Sequence, residues 1–217
     1  MLALLHTSPV HVPVFDALRD ADHPGLALRH LVHEDLLVRA RSGGPGSVAA
    51  DVGAVLTEAA VGGAAAVLCT CSTIGAVAER AGKAVGIPVL RVDRPMAAVA
   101  AKARTVVVVA ALKSTLEPTV ALIREEAAGR APRIRTVLAD GAWERFEAGD
   151  RAGYLAAVVA RVDTVTGADV IVLAQASMAD AAGPTAHGVP VLSSPRPGLS
   201  AAAAVALAGG LGGDGRS

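Results

Sequence analysis

The chain has 217 residues, and 20 Lys and Arg balance 20 Asp and Glu, so its formal net charge is zero. Its cations are spread along the sequence, which excludes the electrostatic footprint of a nucleic-acid or anionic-membrane binder and leaves small partners as the default. Hydrophobic residues make up 53% of the chain but aromatic ones only 2%, so the core has to be built from Ala, Val and Leu, as in helices lying on Val-rich parallel strands.

The first segment, Leu2 to Leu5, reads as a strand that ends in Thr7-Ser8-Pro9, and it lacks the basic region that opens a signal peptide. A second strand, Leu26 to Val32, runs into His33, Glu34 and Asp35. The stretch Ser42-Gly43-Gly44-Pro45-Gly46 lacks the Lys-Ser/Thr ending of a phosphate-binding loop and reads as a flexible connection or a lid. Ser47 is placed to cap a helix whose stripe is Val48, Val52, Val55, Leu56 and Ala59. Ala65 to Cys69 is a short apolar strand, followed by Thr70-Cys71-Ser72-Thr73 and a helix toward Arg80. Gly86-Ile87-Pro88-Val89-Leu90 supplies a fourth strand, and a domain boundary is expected near Arg94 to Ala98.

The same series then recurs. Thr105 to Ala110 leads into Lys113-Ser114-Thr115 and a helix with Pro118 in its first turn, a position where the missing N–H costs nothing. Ile134 to Leu138 is the next strand, ending near Asp140, and Asp150 caps a stripe of Leu155, Val158, Val159 and Val162. Val170 to Ala174 precedes Gln175-Ala176-Ser177, and Gly188-Val189-Pro190-Val191-Leu192 repeats the earlier Gly-Ile-Pro-Val-Leu run 102 residues later. A duplicated β-α-β-α-β-α-β unit follows, giving parallel sheets covered by helices on both faces. The Ala-rich segment Leu199 to Ala208 has no counterpart ending the first half and is expected to return to the first domain. The domains are then 1–95 with 196–217, and 96–195, with a disordered Gly-rich tail from Gly209. The apolar runs are far shorter than the roughly 20 residues a bilayer requires. Two cysteines two positions apart exclude a disulfide framework, so a cytoplasmic location is expected.

Ligands of open parallel sheets bind outside the carboxyl ends of the strands. This nominates Thr7 and Ser8; His33; Cys71, Ser72 and Thr73; Lys113, Ser114 and Thr115; Asp140; Gln175 and Ser177; and Ser193 and Ser194. Cys71 leads this group, because backbone N–H groups and the positive end of the following helix are expected to lower its thiol pKa and favour thiolate, a nucleophile and a base toward carbon acids. Cys69 lies inside the strand and reads as inert core. The two cysteines do not form a metal site with any other spacing in the chain, so no metal is expected. The hydroxyl turns Thr7-Ser8, Ser72-Thr73 and Ser114-Thr115 serve as helix caps or as carboxylate donors. His33 and Lys113 are auxiliary candidates, as an acid or base and as a charge partner; His187 is a weaker one.

Strand, Cys71-Ser72-Thr73, helix resembles the Cys-Asn-Thr turn of the aspartate/glutamate racemase superfamily, which includes aspartate, glutamate and hydantoin racemases, maleate isomerase and arylmalonate decarboxylase. The resemblance implies an α/β fold of two pseudo-symmetric flavodoxin-like domains, a cofactor-free active site in the interdomain cleft, a small carboxylate substrate and often a homodimer. The family's racemases carry a second cysteine in a Gly-Cys-Thr turn, and the matching position here is Gln175. A carboxamide does not transfer protons near neutral pH, so racemisation between two thiols is closed to this chain. Three readings remain: a cofactor-independent isomerase acting through Cys71, a single-cysteine decarboxylase of a malonate-type acid, and a carboxylate-binding protein without turnover.

Overall fold

The computed structural model describes residues 1–211. The chain divides into two compact units, one of Met1–Val92 with the segment from Pro195 onward, the other Asp93–Ser194. Among the described residues, no helix is long and apolar enough to cross a membrane.

The first unit is a four-stranded parallel sheet ordered β2-β1-β3-β4, with β1 at Leu2–His6, β2 at Leu28–Val32, β3 at Ala66–Cys69 and β4 at Val89–Arg91. Side chains on a strand alternate between faces, and here both faces are apolar, as a doubly covered parallel sheet requires. Ala3, Leu5, Val67 and Cys69 pack against α2 (Glu34–Gly43), α3 (Ala49–Val61) and α4 (Gly75–Val85). Leu2, Leu4, Ala66 and Leu68 turn the other way, onto Phe15 of α1 (Val12–Asp22) and onto Leu199, Ala202, Ala203 and Ala206 of α9 (Pro195–Leu211). Leu26 is buried but precedes the strand, which starts two residues later than the sequence suggests.

The second unit repeats this order as β6-β5-β7-β8, with β5 at Thr105–Ala110, β6 at Arg133–Leu138, β7 at Val170–Leu173 and β8 at Val191–Leu192. One face packs on α5 (Arg94–Ala100) and α6 (Leu116–Glu126), the other on α7 (Ala142–Glu147) and α8 (Arg151–Asp163). Asp150 caps α8 as expected, its carboxylate accepting the Gly153 N–H at 2.9 Å.

Several local expectations are corrected. Ser47 is not a helix cap: it lies in the 3-10 turn Pro45–Val48 and its hydroxyl donates to the Gly44 carbonyl at 2.7 Å, so Val48 stands at the start of α3 without a side-chain cap. The Gly-rich stretch before it is no open loop, because α2 runs through Gly43 and the Ser42 hydroxyl donates back to the Arg39 carbonyl at 3.1 Å. The second unit lacks a third α-helix between β7 and β8; only the 3-10 segment Ala176–Ala181 follows Gln175. Helix α9 continues through Leu211, and the rest of the expected tail, 212–217, lies outside the described residues.

The largest correction concerns α9, for which the sequence offers no partner. Arg94-Pro95 of α5 recurs 102 residues later as Arg196-Pro197 of α9, so the two helices are equivalents. Each follows the last strand of one sheet and covers the other unit's sheet. A β-carbon at Gly198 would collide with the carbonyl and side chain of Val92, so this close approach of α9 depends on glycine.

Polar groups are buried beside β1 as well. His6 is fully buried at the end of that strand, with Nδ1 2.8 Å from Thr70 Oγ1 and Nε2 2.8 Å from His30 Nδ1. His30 Nε2 lies 3.3 Å from Asp16 Oδ1 on α1, and Arg19 reaches the same carboxylate oxygen at 3.4 Å. The His11 ring stacks with that of His6 at a centroid distance of 6.1 Å. Burial, helped by His11 and His30, pushes the His6 imidazole down to about 3, and burial takes His11 to about 4, from an ordinary 6.5.

Two outcomes follow from this packing. Because His6 and His11 are neutral in the fold but bind protons at pH 6.5 once unfolded, their contribution to stability is complete above pH 6.5 and is lost as pH falls toward 4 and then 3. Within that window each imidazole costs up to about 1.4 kcal/mol per pH unit. Thermal melts across this range are expected to show a steep acid limb that His11→Leu flattens. Gly198→Ala, which in an exposed helix would stabilise, is expected here to destabilise by about 1–3 kcal/mol in urea titrations, because overpacking outweighs helix propensity.

Candidate active site

The pairing of β1 with β3 brings two turns together. Leu5 lies opposite Cys69 in the parallel register, so the residues that follow, Thr7-Ser8 on one strand and Thr70-Cys71 on the other, emerge side by side at the carboxyl ends. Cys69 is fully buried in the sheet core, as expected of an inert residue, while Cys71 is only partly buried.

The Cys71 sulfur meets three donors, the hydroxyl of Thr7 and the backbone N–H groups of Thr73 and Ile74. The Thr73 hydroxyl beside them is buried and makes no hydrogen bond among the described residues. These are the contacts that stabilise a thiolate, and the turn supplies them as the sequence suggests. The net direction is nevertheless the opposite of the one expected. Burial pushes the Cys71 thiol up and outweighs these donors. Helix α4 starts only at Gly75, with Ile74 in the capping position, so the N–H donors of Thr73 and Ile74 belong to the turn before the helix. The resting group is therefore a partly buried thiol with donors for its anion already in place.

The other nominated residues differ in exposure and in partners. Thr7 and Ser72 are buried in the two turns, and Ser8 is half-buried beside them without capping the helix that follows. His33 stands half-buried at the start of α2. In the second unit Lys113 is exposed, and the Ser114 hydroxyl oxygen is buried with no partner among the described residues, as is that of Ser194 after β8. Buried hydroxyls without partners are rare and costly, which marks both as candidate ligand contacts. Thr115, by contrast, donates its hydroxyl to the Leu112 carbonyl at 2.7 Å, and Ser177 shares a 2.7 Å hydrogen bond with Tyr154, whose phenol is pushed up to about 12 by burial. Asp140 is exposed, 4.0 Å from Arg161, and His187 is held by the Val165 carbonyl at 2.7 Å.

Gln175 has a defined structural task. Its carboxamide oxygen accepts the backbone N–H groups of Ala111 and Leu112, at 2.7 and 2.9 Å. Val109 lies opposite Leu173 as Leu5 lies opposite Cys69, so Gln175 occupies in its unit the position of Cys71 in the other. Where the first unit has a sulfur, the second has a neutral oxygen closing the turn from within.

Two features escaped the sequence. Arg91, at the end of β4 and 3% exposed, is a buried guanidinium whose side chain crosses the start of α4. A β-carbon on Gly75 would lie 2.7 Å from its Nε and 2.9 Å from its Cγ, so glycine is required there. The only local signal was a charge directly after the apolar Gly86 to Leu90 run. The histidines behind the Thr7 and Cys71 turns gave no signal, since His6, His30 and Thr70 meet only through strand pairing.

Comparison with known proteins bears on this arrangement. The chain is similar in structure to glutamate racemase from Francisella tularensis subsp. tularensis in complex with D-glutamate, with a TM-score of 0.75 and 11% identity over 97% of this chain and 82% of that one. It is also similar to glutamate racemase from Thermus thermophilus in complex with β-chloro-D-alanine, with a TM-score of 0.69 and 19% identity over 97% and 81% of the two chains. A glycine-to-cysteine mutant of arylmalonate decarboxylase in a sulfate-associated form gives a TM-score of 0.62 and 20% identity over 99% and 94%. At these identities the structural matches establish the fold. No curated protein sequence matches the chain. The sequence profile of the Asp/Glu/Hydantoin racemase family matches residues 13–203, nearly the whole length, and the chain belongs to that family.

Proposed function

We propose that this protein is a cofactor-independent isomerase of the racemase type, acting at the carbon next to the carboxylate of a small acid or amino-acid-like substrate. Cys71 is the acid–base group, and the observation that carries the reading is its sulfur beside the Thr7 hydroxyl and the backbone N–H groups of Thr73 and Ile74, at the end of a parallel strand. The hydroxyls of Thr7, Ser8, Ser72 and Thr73 hold the substrate carboxylate. Within the second unit, taken by itself, Ser114 has an unpartnered hydroxyl, while Thr115, Gln175 and Ser177 shape the turns in which they are bonded.

In this scheme, a thiolate formed at Cys71 takes the proton from the substrate carbon. The electron pair moves into the carboxylate to give an enediolate, whose negative charge the surrounding donors stabilise. Return of a proton to the same face regenerates substrate. Protonation of the opposite face needs a second donor, for which water, His33 and Lys113 are the candidates, because Gln175 is a bonded carboxamide.

One observation favours a second reading. A thiol that burial keeps protonated is already suited to give a proton, and only one is needed when loss of carbon dioxide from a malonate-type acid leaves an enediolate to be quenched from one face. The two readings separate by product: solvent-deuterium exchange at the α-carbon for the isomerase, carbon dioxide release for the lyase.

Cys71→Ala is expected to lower exchange or gas release by at least about a hundredfold, the scale of a lost acid–base group, with thermal stability nearly unchanged. Full turnover in that variant would exclude Cys71 as the catalyst. Ligand-induced stabilisation of the wild-type protein without either reaction would identify a binding protein instead.

A further inference from the structure

We infer that His6 and Thr70 form a cross-strand clamp that positions Cys71 against Thr7, with His30 and Asp16 fixing its hydrogen-bond direction; this rests on the proposed role of Cys71. His6 immediately precedes Thr7, and Thr70 immediately precedes Cys71. The bond between His6 Nδ1 and Thr70 Oγ1, at 2.8 Å, therefore ties together the two backbones one residue behind the donor and the sulfur that must meet. Neighbouring parallel strands are about 4.8 Å apart, and turns beyond their last paired residues diverge unless something holds them. A buried side-chain bond at that point is such a restraint.

The direction of the network follows from counting protons. Thr70 Oγ1 has one hydrogen and two neighbours, the Leu5 carbonyl at 3.1 Å and His6 Nδ1. The Leu5 carbonyl can accept both the Thr70 backbone N–H, at 3.0 Å, and its hydroxyl, so the direction is set from the other end of the line, where the Asp16 carboxylate only accepts and two neutral rings leave one arrangement. His6 Nδ1 is then the acceptor and Nε2 carries the proton, which it donates to His30 Nδ1. His30 in turn donates Nε2–H to the Asp16 carboxylate. Every group is satisfied with both rings neutral, and the line ends on its most exposed member, since the Asp16 side chain is 40% exposed. If His30 were turned over, two acceptors or two donors would face each other along the line, so Asp16 selects the tautomer of His6 from two hydrogen bonds away. The charged and titratable groups around this line are His11, stacked on His6, and Arg19, bonded to Asp16.

The test uses the full chain and three variants. Thr70→Val removes the hydroxyl while keeping the shape of a buried β-branched residue, Thr70→Ser restores it, and Asp16→Asn removes the terminal charge at a half-exposed site. Two quantities are read: the rate at which iodoacetamide alkylates Cys71 as a function of pH, with the modified peptide identified by mass, and kcat and KM for α-deuterium exchange. Thr70→Val is expected to raise the pH midpoint of alkylation and to lower kcat about tenfold or more with KM within about twofold, while Thr70→Ser recovers most of the loss; a misplacement of this kind acts on the reacting geometry rather than on binding. Asp16→Asn is expected to lower kcat about threefold, as an orienting group two bonds removed from the clamp would. Unchanged alkylation and exchange in a folded Thr70→Val protein overturns the clamp. Should that variant fail to fold, unchanged alkylation and exchange in Asp16→Asn overturns it instead. If Cys71→Ala retains turnover but Thr70→Val still shifts alkylation, the clamp stands and the catalytic role of the thiol falls.

Discussion

The parallel pairing of β1 with β3 is the constraint on which the site depends. With Leu5 opposite Cys69, two apolar strands that could slide along each other are fixed so that Thr7 and Cys71 leave the sheet together. A slip of one residue would turn Cys69 to the opposite face of the sheet and carry Cys71 away from its donors. The register is held on both faces, by Ala3, Leu5 and Val67 against α3 and α4, and by Leu2, Leu4 and Leu68 against Phe15 and α9. The chemistry thus rests on side chains that never touch a ligand.

Within that frame, opposing effects meet at one sulfur. Backbone N–H groups and hydroxyls draw it toward thiolate, while enclosure in the protein draws it toward thiol, and enclosure prevails. A thiol whose pKa is raised is the stronger base once ionised, and donors already in place are suited to hold the charge it then carries. The equivalent turn of the second unit has the same backbone design but spends its two N–H groups on the Gln175 side chain. Duplication thus gave two similar turns, only one of which retains an ionisable atom.

How far the sequence disclosed this depended on the range of the signal. Strands were legible because apolar runs such as Val106 to Val109 have no other comfortable fate, and the Asp150 cap because capping is settled within three residues. The nest around Cys71 was legible from a strand followed by a polar turn. Ser47 misled because an alternative local bond, to the Gly44 carbonyl, competes for its hydroxyl. The direction of the Cys71 shift was not legible, since burial is a property of the whole fold. Nor was the histidine line, whose members stand 24 and 64 residues apart. Gln175 was matched to Cys71 as its equivalent by the repeat, but its bonds to Ala111 and Leu112 come from the turn after a strand that lies far away in sequence.

The reciprocal placement of α5 and α9 reaches beyond catalysis. Sequence repeat and packing unit are not the same object here: the repeat ends with a helix, and that helix closes the sheet of the other copy. On each sheet the visiting helix shares its face with a resident one, α9 with α1 and α5 with α6, so either half taken alone would have that face covered only in part. The crossing helices thus make each unit's core depend on chain from both halves of the repeat.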